Sequence, residues 1–409
     1  MTISPLAPAS FPEISPIAGL TLATAASGLK YAGRDDMLVM RVDEGAAIAG
    51  VFTRSDTAAA PVIWCRERLA AAPEEGLCAI LVNAGNANAF TGSGGTRAVE
   101  DSCRGLASRL GCDAGQILMA STGVIGEPLA VPILEAQFDN LAAGKADWQD
   151  AARAIMTTDT FAKGATASAM IDGVAVSIAG IAKGSGMVAP DMATMLGFIA
   201  TDAALPQAVL AALLADATQR SFNAITVDSD TSTNDSVILI ATGAAGTPPV
   251  AGADDPRLAE FRAALDAVMQ DLAKQIVRDG EGASKFITIS VAGAPDDRLA
   301  HRIAMAIANA PLVKTAIAGE DANWGRIVMA VGKAGANVDQ SKIGIAIGGI
   351  RIAAGGARIE DYDETPIAAH MQGDMIDIEV SVGTGAGTAR VWTCDLTHGY
   401  ISINADYRS

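Results

Sequence analysis

The sequence predicts a layered α/β fold, and three observations support this. Short apolar runs typical of buried strands alternate along the chain with longer amphipathic segments typical of helices. Hydrophobic residues make up 50% of the chain while aromatic residues make up only 4%. The apolar content therefore comes mainly from Ala and from aliphatic residues such as Ile, Leu and Val, which suit closely packed layers. With 409 residues, the chain can bury the cores of two or three domains.

The first half of the chain combines strands with short helices. Runs of β-branched and other apolar residues predict strands over 37–41, 50–53, 78–83, 117–120, 176–181 and 195–200. Helical spacing of apolar residues predicts a helix over 99–110, which ends at Gly111, and a second helix over 148–156.

Longer helices precede a strand-rich final third. Helices are predicted over 206–221, 256–277 and 299–310, and the second has Pro256 at its start and Gly280 beyond its end. Strands are predicted over 285–291, 342–353, 377–382, 389–396 and 400–403. The glycines at 383–387 resemble a dinucleotide-binding loop, but a strand follows them where such a loop needs a helix. We therefore predict a hairpin turn there.

Charge and composition argue against several classes of partner. Lys and Arg total 29 against 46 Asp and Glu, so the net charge of −17 disfavours nucleic acid and anionic membranes. No apolar run reaches membrane-spanning length. Residues 1–20 contain no Lys or Arg, unlike a secretory signal, and we expect a cytoplasmic protein. The five cysteines lack C-x-x-C spacing, which favours reduced thiols over disulfides or a metal site.

The segment 183–197 contains the most unusual chemistry. Lys183 directly follows an apolar strand and precedes a glycine-rich turn, and Thr194 opens the next apolar run. A threonine in such a place is a candidate nucleophile. The chain has only three histidines, so a catalytic triad is a poor explanation. If the peptide bond before Thr194 were broken, its freed α-amine, with a pKa of roughly 7.7–8.0, could serve as the base. A buried structural threonine is the alternative.

Four further loops carry polar side chains, and each has two interpretations. The asparagine-rich loop 83–92 is an ordinary strand-to-helix connection or a loop held in a fixed shape by its own hydrogen bonds. The turn 121–126 is a common Ser-Thr-Gly turn or an oxyanion hole built from backbone N–H groups. The hydroxyls of 157–160 cap a helix or line a polar pocket. Glu281, between two glycines, is a surface carboxylate or lies where the backbone approaches a ligand.

The segment KGSGMVAPDMATMLGFIATDA, residues 183–203, resembles the self-cleavage signature of the ornithine acetyltransferase (ArgJ) family. Five other segments resemble family motifs in the family's order: NAGNANAFTG (83–92), STGVIG (121–126), TTDT (157–160), NWGR (323–326) and NADYRS (404–409). The resemblance thus spans essentially the whole chain. Ser185 and Asp191 stand where the family commonly has alanine and asparagine, which we expect to tune cleavage without removing the nucleophile.

The resemblance implies a specific architecture. The family fold is a DmpA/ArgJ-like αββα sandwich built by two chains that arise when the precursor cuts itself between Ala193 and Thr194. The expected alpha chain is 1–193 and the beta chain is 194–409, of which roughly 285–409 includes a smaller C-terminal α/β domain. The family suggests a heterotetramer with two copies of each chain.

The resemblance also implies an activity in arginine biosynthesis. Thr194 would take an acetyl group from N2-acetylornithine, release ornithine and pass the acetyl group to glutamate in a ping-pong reaction. Thr122 and Gly123 match the family's oxyanion hole. The matching substrate-binding positions are Thr157, Lys183, Thr194, Glu281, Asn404 and Ser409.

The resemblance leaves several points open. A small shift of alignment would put Thr158 or Thr160 in place of Thr157. By charge, Lys183 suits a substrate carboxylate or the cleavage step, and Glu281 suits the cationic amine of ornithine, although these roles could be exchanged. No cofactor is implied except acetyl-CoA as an optional second acetyl donor. The alternatives are an aminopeptidase of related fold that cleaves itself, and an acidic amino-acid-binding protein in which Thr194 is inert.

Overall fold

A computed structural model of the chain describes residues 2–71, 76–189, 195–360 and 362–405. The predicted cleavage site, Ala193 and Thr194, and the C-terminal Ser409 lie outside these described residues, as does Asp191. Within the described ranges, no helix combines the length and the apolar character needed to cross a membrane.

Strands and helices alternate through the described part of the chain. The strands are β1 (Leu20–Ala25), β2 (Met37–Val42), β3 (Ala47–Phe52), β4 (Ala79–Asn86), β5 (Ile117–Val124), β6 (Lys163–Ile171), β7 (Val174–Lys183), β8 (Leu196–Thr201), β9 (Ser236–Ala241), β10 (Phe286–Ala294), β11 (Gly344–Ile347), β12 (Ile350–Ala354), β13 (Ala357–Arg358), β14 (Met375–Ser381) and β15 (Gly387–Cys394). The helices are α1 (Ala60–Ala71), α2 (Gly92–Leu110), α3 (Val131–Glu135), α4 (Phe138–Ala143), α5 (Trp148–Ala154), α6 (Gln207–Gln219), α7 (Ala259–Arg278), α8 (Asp297–Ala308), α9 (Pro311–Ala318), α10 (Trp324–Lys333), α11 (Thr365–Met371) and α12 (His398–Ala405).

Two sheets stack face to face. The first has the order β1-β2-β4-β5 and the second the order β3-β9-β8-β7-β6. Leu38 and Val82 of the first sheet share one core with Phe198 and Ile238 of the second. Because successive side chains of a strand point to opposite faces, Ile199 lies instead in the core on the other side of the second sheet.

Helices cover the outer faces of both sheets. Val99 of α2 and Phe138 of α4 pack against Leu81 on the outer face of the first sheet. On the outer face of the second sheet, α6 contacts β3 while α7 contacts β6 and β7. The result is a four-layer αββα sandwich, so the predicted layered α/β fold is confirmed.

A third sheet is built from the last third of the chain. Its order is β13-β12-β11-β14-β10-β15, and α8 packs on β10 and β15. Its core is continuous with that under the second sheet. A bridge between Ile225 and Trp392 also joins β15 to the connection that leads into β9.

Most predicted elements are confirmed to within a few residues, but the strand prediction for 400–403 is wrong. These residues lie in helix α12. The side chain of Thr397 accepts a hydrogen bond from the N–H of Gly399 at 3.0 Å, which favours the start of a helix. The alternation of apolar and polar residues at 400–403 is too short to outweigh this capping.

Two other predictions are wrong, and both concern the places where the chain turns at glycines. The predicted strand 342–353 is a hairpin of β11 and β12, which turns at Gly348 and Gly349, both with positive φ. The glycines 383–387 do not form a hairpin, because β10 lies between β14 and β15 and pairs with both. This connection instead crosses the end of β10.

Candidate active site

A cavity of about 390 Å³ opens between the two stacked sheets. Residues that are far apart in the sequence line it, and six of the predicted site residues are among them: Thr122, Gly123, Thr157, Lys183, Glu281 and Asn404. Ala193, Thr194 and Ser409 lie outside the described residues. The residue after Thr194 is described: the N–H of Met195 donates to Oδ1 of Asp235 at 3.0 Å, and Leu196 pairs with Lys183.

The backbone at the end of β5 has a conformation that only glycine fits. Gly123 has φ +132°, and a Cβ there would lie 2.3 Å from the carbonyl carbon of Gly85 and 2.5 Å from the nitrogen of Asn86. The pairing of β4 and β5 shifts register at this point. Such irregularities at a strand end commonly redirect groups toward an active site. The neighbouring Thr122 is 2% exposed and lines the cavity.

The asparagine-rich loop is held in shape by its own hydrogen bonds, so the second of the two sequence interpretations is confirmed. Asn83 donates to the carbonyl of Asn86 at 2.9 Å and accepts from the hydroxyl of Ser121 at 2.6 Å. Oδ1 of Asn86 in turn accepts from the N–H of Asn88 at 2.7 Å. The loop thereby fixes the end of β5.

Asn234 is a cavity residue that the sequence analysis missed. Its side-chain amide donates to the carbonyls of Ala87 at 2.6 Å and Ser121 at 2.9 Å. It therefore joins the connection before β9 of the second sheet to the first sheet. A single asparagine in a Ser/Thr-rich connection gives no sequence signal of this kind.

The three threonines of 157–160 have different partners. The hydroxyl of Thr157 accepts from Nζ of Lys183 at 3.3 Å, and that of Thr158 lies 2.7 Å from the hydroxyl of Ser185. Thr160 instead donates to Oδ1 of Asp279 at 2.5 Å. Thr157 and Thr158 line the main cavity, whereas Thr160 supports its wall.

A fully buried ion-pair network lies behind this wall. Nζ of Lys163 donates to Oδ1 of Asp159 at 2.6 Å and to Oδ2 of Asp279 at 2.5 Å. Asp159 also accepts from the N–H groups of Thr157 and Gly184 at 2.9 and 2.7 Å. Burial opposes ionisation of Asp159, but the ammonium of Lys163, with hydrogen bonds, lowers its pKa to about 2. The network fixes two segments that border the cavity.

Lys183 is a buried amine in the cavity wall. It is 2% exposed, at the end of β7. Burial lowers its pKa, although the carboxylates of Asp159 and Asp235 act in the opposite direction. A partly desolvated ammonium attracts a ligand carboxylate strongly.

Glu281 provides the opposite charge. Its backbone N–H donates to the carbonyl of Ser185 at 2.9 Å, and its Oε2 accepts from the side chain of Asn404 at 2.7 Å. A cavity that presents both an ammonium and a carboxylate suits a ligand with both a carboxylate and an amine, such as an amino acid. Within the described residues, no three His, Cys, Asp or Glu side chains are grouped to hold a metal ion.

Comparison with known proteins gives consistent matches. The profile of the ArgJ family matches residues 21–409. The arginine biosynthesis bifunctional protein ArgJ of Gluconobacter oxydans is 53% identical over 411 residues, covering 100% of this chain and 96% of the relative. The protein of the same name from Agrobacterium fabrum is 52% identical over 414 residues, with 100% of both chains covered. A crystal structure of the Bacillus halodurans protein of that name is 44% identical with a TM-score of 0.50, covering 52% of this chain and 99% of that one.

Proposed function

The chain belongs to the ArgJ family, and we propose that it transfers an acetyl group from N2-acetylornithine to glutamate in arginine biosynthesis. The products are ornithine and N-acetylglutamate. The observation that carries the proposal is the cavity, in which Thr122 and Gly123 lie with Lys183 and Glu281, beside the strand that follows Thr194. Relatives at 51–53% identity are named arginine biosynthesis bifunctional proteins.

The active enzyme arises by self-cleavage. The hydroxyl of Thr194 attacks the carbonyl carbon of Ala193, the peptide C–N bond breaks, and the resulting ester is hydrolysed by water. This leaves a carboxylate on Ala193 and a free α-amine on Thr194, in chains of residues 1–193 and 194–409. The second chain includes the C-terminal α/β domain from roughly residue 285. The Bacillus halodurans crystal chain, 99% of which matches 52% of this chain, has about half its length, as a processed chain would.

Acetyl transfer then takes two steps. The hydroxyl of Thr194, with its α-amine as base, attacks the acetyl carbon of N2-acetylornithine, and ornithine leaves with the proton on its α-amine. The α-amine of glutamate attacks the acetyl-threonine ester and restores the hydroxyl. Thr122 and Gly123 stabilise the oxyanion that develops in both steps.

Charged groups orient the substrates. Lys183 binds the substrate α-carboxylate and Glu281 binds the cationic side chain of ornithine. Thr157, Asn404 and Ser409 complete the binding site. For Asn404, the support is its hydrogen bond to Glu281. For Thr157, it is the hydrogen bond from Lys183.

Three further properties belong to the proposal. Acetyl-CoA serves as a second acetyl donor to glutamate, which the word bifunctional in the relatives' names supports. The two chains assemble as a heterotetramer with two copies of each. The reaction takes place in the cytoplasm, a reducing compartment that suits five cysteines with free thiols.

The first experiment is the intact mass of the denatured purified protein. We expect two species, one of which begins with Thr194-Met195, in place of a single chain of 41.4 kDa. Thr194→Ala should remain a single chain and lose acetyl transfer. A wild-type protein that stays uncleaved, or a Thr194→Ala variant that still transfers acetyl, would contradict the mechanism.

The second experiment is an activity assay with a specific readout. N-acetylglutamate formed from N2-acetylornithine and glutamate is measured by mass spectrometry, and thiol release from acetyl-CoA is followed in parallel. Hydrolysis of aminoacyl amides without acetyl transfer would favour a self-processing aminopeptidase instead.

A further inference from the structure

One connection contacts the chain on both sides of the proposed cleavage site. Asp228, in the connection that leads into β9, accepts from two successive backbone N–H groups upstream of the site. Its Oδ2 accepts from Met187 at 2.6 Å and its Oδ1 from Val188 at 2.8 Å. The carbonyl of Val188 is fixed as well, since it accepts from the N–H of Val227 at 2.7 Å.

Asp235, at the other end of the same connection, holds the downstream side. Its Oδ1 accepts from the N–H of Met195 at 3.0 Å. The residue is 0% exposed, and its Oδ2 has no hydrogen-bond partner among the described residues. Six residues separate Val188 from Met195, so the connection holds the backbone at both ends of a short stretch.

We propose that Asp228 and Asp235 are paired positioning residues for self-cleavage, which hold the two flanks of the scissile segment so that Thr194 can attack Ala193. The inference rests on the proposed self-cleavage and adds residues that the proposed mechanism does not use. An intramolecular attack is fast only when its groups are kept close and aligned, and a short segment anchored on both flanks has fewer conformations in which its groups lie apart.

The anchors act as hydrogen-bond acceptors. Burial raises the pKa of Asp235 well above its usual range, against the opposing effects of the Met195 N–H and of Lys183. Burial also raises the pKa of Asp228. Because a neutral carboxyl keeps an acceptor oxygen, asparagine should replace Asp235 well: one oxygen serves Met195. Asparagine at position 228 should preserve only part of the function, because two N–H groups need two acceptor oxygens and the asparagine side chain has one.

The test measures the rate of cleavage in the full-length chain. Wild type and variants are made by pulse-labelled cell-free translation, quenched into denaturant at intervals and resolved by denaturing electrophoresis. The variants are Asp235→Ala, Asp235→Asn, Asp228→Ala and Asp228→Asn. The matched control is Asp230→Ala, an exposed carboxylate in the same connection.

The expected result is a graded order. Asp235→Ala and Asp228→Ala should slow cleavage by about tenfold or more, which corresponds to the loss of a buried hydrogen bond. Asp235→Asn should cleave at close to the wild-type rate, Asp228→Asn at an intermediate rate, and Asp230→Ala like wild type. A role in folding alone would not produce rescue by asparagine at one site and partial rescue at the other.

Three results would overturn the inference. The first is cleavage of both alanine variants at the rate of the control, and the second is an Asp235→Asn chain as slow as Asp235→Ala. The third result applies if the alanine variants fail to fold: it is cleavage of the two asparagine variants at equal rates. An uncleaved wild type is distinct from these, because it would overturn the proposed self-cleavage as well.

Discussion

The side-chain amide of Asn404 donates a hydrogen bond to Oε2 of Glu281 at 2.7 Å. This contact joins α12, near the C-terminus, to the turn between α7 and β10. The turn approaches α12 closely, since a Cβ on Gly282 would lie 2.4 Å from the nitrogen of Tyr400. The acidic side of the cavity is therefore built from two segments more than a hundred residues apart.

Glu281→Gln should impair the two half-reactions unequally. Glutamine keeps an oxygen for Asn404 but loses the charge that pairs with the cationic side chain of N2-acetylornithine. Loss of a hydrogen bond to a charged group costs about 1.5–3 kcal/mol, so we expect KM for N2-acetylornithine to rise roughly 10- to 100-fold. KM for glutamate, which has no cationic side chain, should change much less. Steady-state kinetics with each substrate varied in turn would test this, and an equal rise in both KM values would contradict it.

Gly186→Ala should reproduce part of this effect without changing Glu281. A Cβ on Gly186 would lie 2.4–2.7 Å from the carboxylate atoms of Glu281, so the flexible carboxylate must move away. We expect a raised KM for N2-acetylornithine with the melting temperature unchanged, since no backbone contact is broken. Gly332→Ala, on helix α10 with open space around it, is the matched control. Wild-type KM in Gly186→Ala would show that the position of Glu281 does not control binding.

The sequence could predict alternating strands and helices, because runs such as 176–181 are apolar and β-branched. The αββα sandwich itself was implied only by the resemblance to the family, and the strand and helix pattern is compatible with it. The sequence could also predict the charged cavity residues, because the segments that contain them resemble family motifs and follow one another in the family's order. It could not predict the partnership of Lys163 with Asp279, which lie 116 residues apart in the sequence. Such pairs depend on how helices and strands pack, and no local pattern of side chains reports that. Asn234 was missed for the same reason.

Thr122→Val should lower kcat and leave KM nearly unchanged. Valine has the shape of threonine but no hydroxyl, and we expect the Thr122 hydroxyl, rather than its backbone N–H, to be a donor of the proposed oxyanion hole, whose donors act on charge that develops in the transition state. Removal of one such donor typically costs 10²- to 10³-fold in kcat. Thr157→Val, at a proposed binding position, should instead mainly raise KM. If both variants showed the same change in KM and kcat, the separate roles of the two threonines would be wrong.

Lys163→Met should strongly destabilise the protein. The ammonium of Lys163 neutralises two buried carboxylates, Asp159 and Asp279, at 2.6 and 2.5 Å. Removing one partner of a buried ion pair costs about 3–5 kcal/mol because a buried charge is left uncompensated. Denaturant unfolding at pH 7 and equal protein concentration would measure the loss. Lys145→Met, at an exposed position, should change the free energy of unfolding little. A loss below about 1 kcal/mol, as for an exposed pair, would contradict the expectation.

The raised pKa of Asp235 predicts how stability depends on pH. Burial raises the pKa of this carboxyl in the folded state well above its unfolded value of about 3.9. Between these two pKa values, the folded state binds more protons than the unfolded state, so stability falls as pH rises. The stability that Asp235 contributes is fully present below about pH 3.9, and it is lost as the pH rises through the folded pKa of this carboxyl. Asp159 has a folded pKa of about 2, so its ionisation changes the stability only at pH values below the range in which Asp235 acts.

Asp235→Asn should therefore flatten the stability curve above pH 4. Asparagine stays neutral and keeps the acceptor for Met195. The comparison is made between Thr194→Ala and Thr194→Ala/Asp235→Asn, so that both proteins remain single chains. Other buried carboxyls are common to the two, and the difference between their free energies of unfolding isolates Asp235. We expect this difference to grow in favour of the asparagine variant from pH 4 to pH 7, measured by denaturant unfolding. A difference that is constant with pH would mean that Asp235 ionises alike in the folded and unfolded chain.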